Sequence, residues 1–272
     1  FFIRTDGPDG GLENYEVSYT FGTEPLQQYL VELPGGRLQA LPIAWDTRPA
    51  ADGGQRWFHL YPDEEIPAGD VLHWSGPNQN WNYMCAECHS TGLEKNYDPQ
   101  TGSYDSRWSE IDVACESCHG RASVHVQWAN AERQGRYEGP PLGPAHGLEV
   151  RLREDEEATW VFDDDTGIAQ RTRPRDSRIQ IETCARCHSR RSVIAADYRH
   201  GQPLLDTHLP ALLEDGLYHA DGQILDEVYV YGSFLQSKMY AEGVTCSDCH
   251  DPHGLEARGE GNAVCAGCHL PA

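Results

Sequence analysis

Five times in 272 residues the chain spells Cys-x-x-Cys-His, and all ten of its cysteines are used in doing so. The runs are Cys85, Cys88 and His89; Cys115, Cys118 and His119; Cys184, Cys187 and His188; Cys246, Cys249 and His250; and Cys265, Cys268 and His269. With 13 histidines in the chain, five chance successes have a probability on the order of 10⁻⁷, so spacing decides what the cysteines are for. A disulfide framework leaves the five histidines unexplained, and cysteines three apart rarely bridge comfortably. Zinc needs four ligands per site, usually from two knuckles brought together, and five knuckles pair badly. Covalent attachment of haem c accounts for every residue of the pattern. Cysteines at i and i+3 share one face of a helical turn, so both sulfurs reach the two vinyl-derived carbons of one porphyrin edge. The histidine at i+4 then points at the iron as proximal ligand. The implied load is five covalently bound haem c groups, with no cysteine left for a disulfide.

That load makes sense of a thin composition. Only 39% of residues are hydrophobic, a small supply for a core at this length, and five porphyrins would fill the interior instead. No stretch approaches the roughly 18 to 20 consecutive apolar residues of a membrane span. Lys+Arg number 21 against Asp+Glu 43, a formal net charge of −22, which repels nucleic acid. An oxidised bis-histidine haem with two ionised propionates adds about −1, taking the total to roughly −27, and to roughly −32 when all five irons are reduced. The cations are Arg apart from Lys95 and Lys238. A planar guanidinium suits a propionate, and Arg121, Arg186, Arg190 and Arg191, beside the second and third motifs, are the candidates for that role. A ring of docking lysines is not available. Redox partners must therefore meet the chain through a basic face, bridging cations or a short-range apolar interface.

Residues 1–79 carry no cysteine and read as a β-rich amino-terminal segment. Tyr15, Val17, Tyr19 and Phe21 alternate with polar residues, Leu38 to Trp45 follow Gly35-Gly36, and Arg56 to Tyr61 form a third run stopped by Pro62. Residues 80–272 form the pentahaem domain, whose motif starts are spaced by 30, 69, 62 and 19 residues. Short helices are expected around each motif, with longer ones from Ala122 to Gln134 and from Asp226 to Ala241. A polar insertion, 135–178, holds a β-hairpin whose turn is Asp163-Asp164-Asp165-Thr166-Gly167. A calcium loop of the EF-hand kind would need Glu at its twelfth position, where Pro174 stands, so a solvated turn is the better reading. The fold class expected is a multihaem cytochrome c with little regular structure: short helices around five haems, the β-rich front and the hairpin insertion.

Methionine is nearly absent, Met84 and Met239 being the two, and that scarcity argues for bis-histidine, low-potential haems. Sixth ligands must come from the eight histidines outside the motifs. His125 and His253 follow motifs too closely to reach across their own haem, so either would ligate a neighbouring one. His59, His73 and His219 are further distal candidates, while His146, His200 and His208 lie in polar loops and read as surface residues.

Several stretches resemble the multihaem cytochromes related to the tetrahaem electron acceptor of hydroxylamine oxidoreductase, above all their larger exported relatives, some of them fused to tetratricopeptide repeats. These are Tyr19-Thr20-Phe21-Gly22 with Pro25 to Tyr29, Trp81-Asn82-Tyr83-Met84 running into Cys85, Cys115 to His119 with Gly120 and His125, and Gly243 through His253. The resemblance implies mostly bis-histidine haems in stacked and perpendicular pairs, with His125 and His253 as distal ligands. It departs at the front, where such relatives tend to carry a further haem motif. The opening Phe1-Phe2-Ile3-Arg4 reads as strand interior, and the expectation is a trimmed chain with room for that motif upstream.

Haem c is attached outside the cytoplasm, which implies an exported protein, periplasmic or extracellular. The expected function is electron transfer along closely packed haems, with other redox proteins or cytochromes as partners and a repeating, filament-forming subunit as a variant. The alternative is a haem oxidoreductase acting on nitrite, hydroxylamine or tetrathionate at one five-coordinate iron. Every motif here ends in His rather than Lys, and the acidic envelope disfavours anionic substrates.

Overall fold

The computed structural model describes residues 1–154, 158–254 and 256–270 and divides into two compact units, Phe1–Ser117 and Cys118–Ala272. Unit one is built on a five-stranded antiparallel sheet, β1 (Phe2–Asp6), β2 (Leu12–Phe21), β3 (Leu26–Leu33), β4 (Arg37–Asp46) and β5 (Arg56–His59), ordered as they follow in the chain. The alternation read from Tyr15 to Phe21 lies in β2. The central β3 has no counterpart in the sequence reading. Its Leu and Gln residues do not favour strands, and burial between β2 and β4 holds it there.

Side chains of β3 and β4 alternate between two apolar clusters, as the period of two in a strand requires. Tyr29, Val31, Leu33 and Leu41 pack with Trp74 on one face. Leu30, Leu38 and Ala40 pack with Trp81 and Ala86 on the other, joined by Phe21, Cys85, Leu93, Trp108 and Ile111. The second face therefore carries the first haem motif, because Trp81 leads into Cys85 and Ala86 lies within it. Each such side chain contributes about 1.5–3 kcal/mol when fully buried.

A buried amide lattice locks this approach to the sheet. Asn82 accepts from Leu38 N (2.7 Å) and donates to Gly36 O (3.2 Å) and Ser106 Oγ (2.9 Å). Asn80 donates to Gln39 Oε1 (2.9 Å) and accepts from Tyr83 N (3.1 Å), which caps the turn Trp81–Met84. Gly36 has a left-handed φ of 69°, and a Cβ there would collide with the Tyr104 carbonyl oxygen.

Unit two has little regular structure. Its longer helices are Ser123–Arg133 and Ile179–His188. The single helix expected from Asp226 to Ala241 is instead two short ones, Tyr231–Leu235 and Lys238–Ala241. Ser237 breaks it: its backbone is extended and its hydroxyl caps the second helix by accepting from Tyr240 N, an alternative that serine offers readily. The insertion 135–178, of which 155–157 lie outside the described residues, contains the hairpin Trp160–Phe162 with Ala169–Arg171. Asp163 organises its turn, accepting from Asp165 N, Thr166 N, Thr166 Oγ1 and Gln170 Nε2.

The hairpin is also a brace. Ala169 N donates to Cys268 O (2.7 Å) and Leu270 N to Gly167 O (2.9 Å), so the end of the fifth motif is bridged to the hairpin at His269. Trp160 Nε1 donates to Asp248 Oδ1 within the fourth motif (3.3 Å). Arg175 reaches Asp248 Oδ2 (3.2 Å) and shares Glu154 with Arg171. Among the described residues no helix is long and apolar enough to cross a membrane.

Replacing Asn82 by Ala should lower the stability of unit one by about 2–4 kcal/mol, since buried groups lose their partners; denaturant unfolding measures it. The amides of the Asp163 turn hold its carboxyl below the ordinary value of 3.8. Its stabilisation of the hairpin is therefore complete above that pH and lost as pH falls through the lowered folded value. Amide exchange across residues 160–171 should accelerate only in strong acid in the native chain, and already at neutral pH in Asp163→Ala.

Candidate haem-binding sites

Each motif is wound into a turn that brings its cysteines and histidine together. In the first, Cys88 N and His89 N both donate to Cys85 O (3.1 and 3.0 Å). The second occupies the helix Glu116–His119 and the residue before it, and the third closes the helix Ile179–His188. In the fourth, Thr245 and Asp248 form a reciprocal cap at the start of Cys246–Cys249, and His250 N donates to Cys246 O before the chain turns extended. In the fifth, Cys268 N and His269 N donate to Cys265 O (3.0 and 2.8 Å).

No cysteine is in a disulfide. Burial and the neighbouring Cys88 push the Cys85 thiol up to about 11. In unit two the cysteines of successive motifs adjoin one another. Cys184 donates a hydrogen bond to Cys246, which raises its own pKa and lowers that of Cys246, and Cys118 lies within electrostatic reach of Cys184. Cys249 in turn feels both Cys268 and Cys265. The attachment points thus follow each other in space as second, third, fourth and fifth.

Large apolar side chains stand exposed beside the first, second and fifth motifs: Met84, Val113 and Leu270. The surface of a porphyrin would cover such groups. In unit two the ring of His253 lies 6.2 Å from that of His119, the two planes 14° apart. Two imidazoles on opposite sides of one metal, each at the ordinary distance of about 2.0 Å, hold their ring centres roughly 6.3 Å apart. The turns, the exposed apolar borders and this pair of rings fit covalently held haem.

Residues 71–120 match the family model described as cytochrome c554 and c-prime. The matched stretch includes the first two motifs whole. The chain is a c-type cytochrome. No curated protein and no solved structure matches it. Haem c held by thioether bonds would supply its redox chemistry, and the match supports a role in electron transfer.

The remaining histidines of the cytochrome separate by what their Nδ1 atoms meet, since that contact decides which nitrogen has a lone pair for iron. His125 Nδ1 sits 2.9 Å from His146 O and must carry the proton, which leaves Nε2 able to ligate. His119 Nδ1 faces Val150 O at 3.5 Å in the same sense. His59 is set the other way: Nδ1 accepts from Tyr61 N (3.0 Å), so the proton sits on Nε2. His73 is 3% exposed, with Nδ1 on Ser75 Oγ (2.8 Å) and Nε2 on Asp6 Oδ2 (3.1 Å), so neither nitrogen is left for iron in this arrangement. His219 is exposed in the loop that precedes Tyr231–Leu235. His146 stacks on Trp128 (4.6 Å), and His200 Nε2 faces Arg186 (3.5 Å). His208, expected at the surface, is 1% exposed. The pairing of His208–Pro210 with Arg191–Val193 carries it inward, where Nδ1 meets Thr207 Oγ1 (2.8 Å).

The four candidate arginines all have protein partners. Arg121 pairs with Glu149 (2.9 Å) and Arg190 with Asp226 (3.4 Å). Arg186 lies over the Tyr198 ring (4.1 Å), and Arg191 donates to Arg186 O. Sequence reasoning passed over Gln180 and Arg175, which hold motifs without touching a cysteine, and Arg171, which shares Glu154 with Arg175. For Gln180 a signal was present, since it stands one helical turn before Cys184.

His73→Ala should leave the haem absorption spectrum unchanged while lowering the thermal midpoint of unit one, because its ring ties β1 to the segment before Cys85. Optical spectra recorded alongside a melting curve separate those two effects.

Proposed function

We propose that this cytochrome is an exported, periplasmic or extracellular electron carrier that holds five bis-histidine haems. Four of them would form a chain through unit two in the order second, third, fourth, fifth. The observation that carries the reading is the pair His119 and His253, whose rings lie 6.2 Å apart and nearly parallel, close enough that both could serve one iron. His253 lies three residues beyond His250, so it would close the second haem while the fourth haem hangs from the same loop. Cross-ligation of this kind draws haems together and leaves their irons six-coordinate, which favours electron transfer over substrate chemistry. His125, with its proton held on Nδ1, is the next distal ligand in this reading.

The succession of cysteine contacts supports a path rather than isolated centres. At its end the fifth motif is open to solvent, with Cys265 and Leu270 exposed. Electrons would leave there to another redox protein, or to a further copy of the chain where copies assemble end to end. The acidic surface requires that contact to be apolar or bridged by cations.

Mass spectrometry of the mature protein should give five haem c additions. His253→Ala should convert one of them from low spin to high spin, and the reduced variant should bind carbon monoxide. An unaltered low-spin spectrum in that variant would reject the ligand assignment. An iron in the native protein that binds carbon monoxide would instead favour catalysis on a small nitrogen or sulfur compound.

A further inference from the structure

We infer that Gln180 is a positioning residue that sets the contact between the third and fourth haems. The inference rests on the carrier reading above. Gln180 and Cys184 are four apart in the helix Ile179–His188 and share a face. That face meets the start of the helix Cys246–Cys249, and both residues find partners there. Cys184 lies against Cys246. Gln180 Oε1 accepts from Thr245 Oγ1 (2.8 Å) and Ser247 N (3.0 Å), and Nε2 donates to Ser247 Oγ (3.0 Å). One amide thus holds both residues that flank Cys246.

The consequence concerns sulfurs that each carry a porphyrin. Cys184 would supply one thioether of the third haem and Cys246 one of the fourth, so the two tethers adjoin at this corner. Two thioethers and an axial histidine from one turn would leave each porphyrin little freedom about its own motif, and the relation between the two rings would then follow the relation between the two helices. The bonds of Gln180 fix that relation at the level of the cysteines. Arg175 and Trp160 hold the fourth motif through Asp248 instead, so they steady the helix without tying it to the third motif.

The test uses the mature, haem-loaded protein. Electron paramagnetic resonance of the fully oxidised form should contain a spin-coupled component from the third and fourth haems, identified by its absence from Cys246→Ala/Cys249→Ala. Gln180→Met, which keeps the length of the side chain and removes its polar bonds, should lose that component while retaining five low-spin haems. Gln180→Glu keeps acceptors for Thr245 and Ser247 N and should restore much of it. A coupled component undiminished in Gln180→Met overturns the inference, and so does its absence from the native protein. If Gln180→Met fails to hold five haems, Ser247→Ala removes one bond from the opposite side: a weakened component supports the inference and an unchanged one overturns it. A high-spin iron in the native protein would sink the carrier reading itself, an outcome that spin counting separates from any effect at Gln180.

Discussion

A thioether bond ties a porphyrin to a single helical turn, and almost everything else in this molecule follows from that tether being local. A haem held only by shape and axial ligation needs a cavity that the surrounding chain must build and keep closed. A haem held by two sulfurs needs five residues in the right order and one backbone turn. The cytochrome can therefore dispense with a large polypeptide core in unit two, where the longest helices have eleven and ten residues. What the chain must still provide is the relation between one tether and the next. It does so with polar devices: Gln180 between the third and fourth motifs, Arg175 and Trp160 on the fourth, and the hairpin along the fifth. In unit one the same task falls to a sheet, whose second apolar face seats Trp81 and Ala86.

This division explains what could be read from the residues alone. The motifs are legible because their chemistry is contained in five consecutive positions. The strand β2 is legible because its side chains alternate, β4 and β5 because their apolar runs are bounded by Gly35-Gly36 and Pro62, and the turn at Asp163 because aspartate, threonine and glycine bond their own backbone. By contrast β3 depends on neighbours for its burial, and the break at Ser237 depends on a hydroxyl choosing a cap over a continued helix. The distal histidines were the least legible. Proximity to a motif singled out His125 and His253, but whether a ring offers iron a lone pair depends on a carbonyl or an amide that may be far along the chain. His146 O is such a partner for His125, and Asp6 for His73. Nothing in the spacing of residues near 73 announces a carboxylate from β1.

Charge and architecture work together in an unexpected way. The chain is strongly acidic overall, yet some of its most buried ions in unit two are arginines, Arg171 and Arg175, gathered around Glu154 and Asp248. An ion pair shielded from water is costly to break, because removing one partner leaves the other charge uncompensated. Such a network resists both salt and the added negative charge that arrives when the irons are reduced. A surface pair such as Arg121 with Glu149 would be screened under the same conditions.

The pairing of Gly167 and Ala169 with Cys268 and Leu270 has a consequence in time rather than in space. It joins segments about a hundred residues apart, and contacts that close so long a loop are entropically expensive and form late. The hairpin leaves the ribosome well before its partner segment does. For that interval its edge is open, and the turn at Cys265 gains its neighbour only after the segments before it have been made. Closure of this part of the fold therefore has a direction written into its topology, from the hairpin toward the segment that completes it.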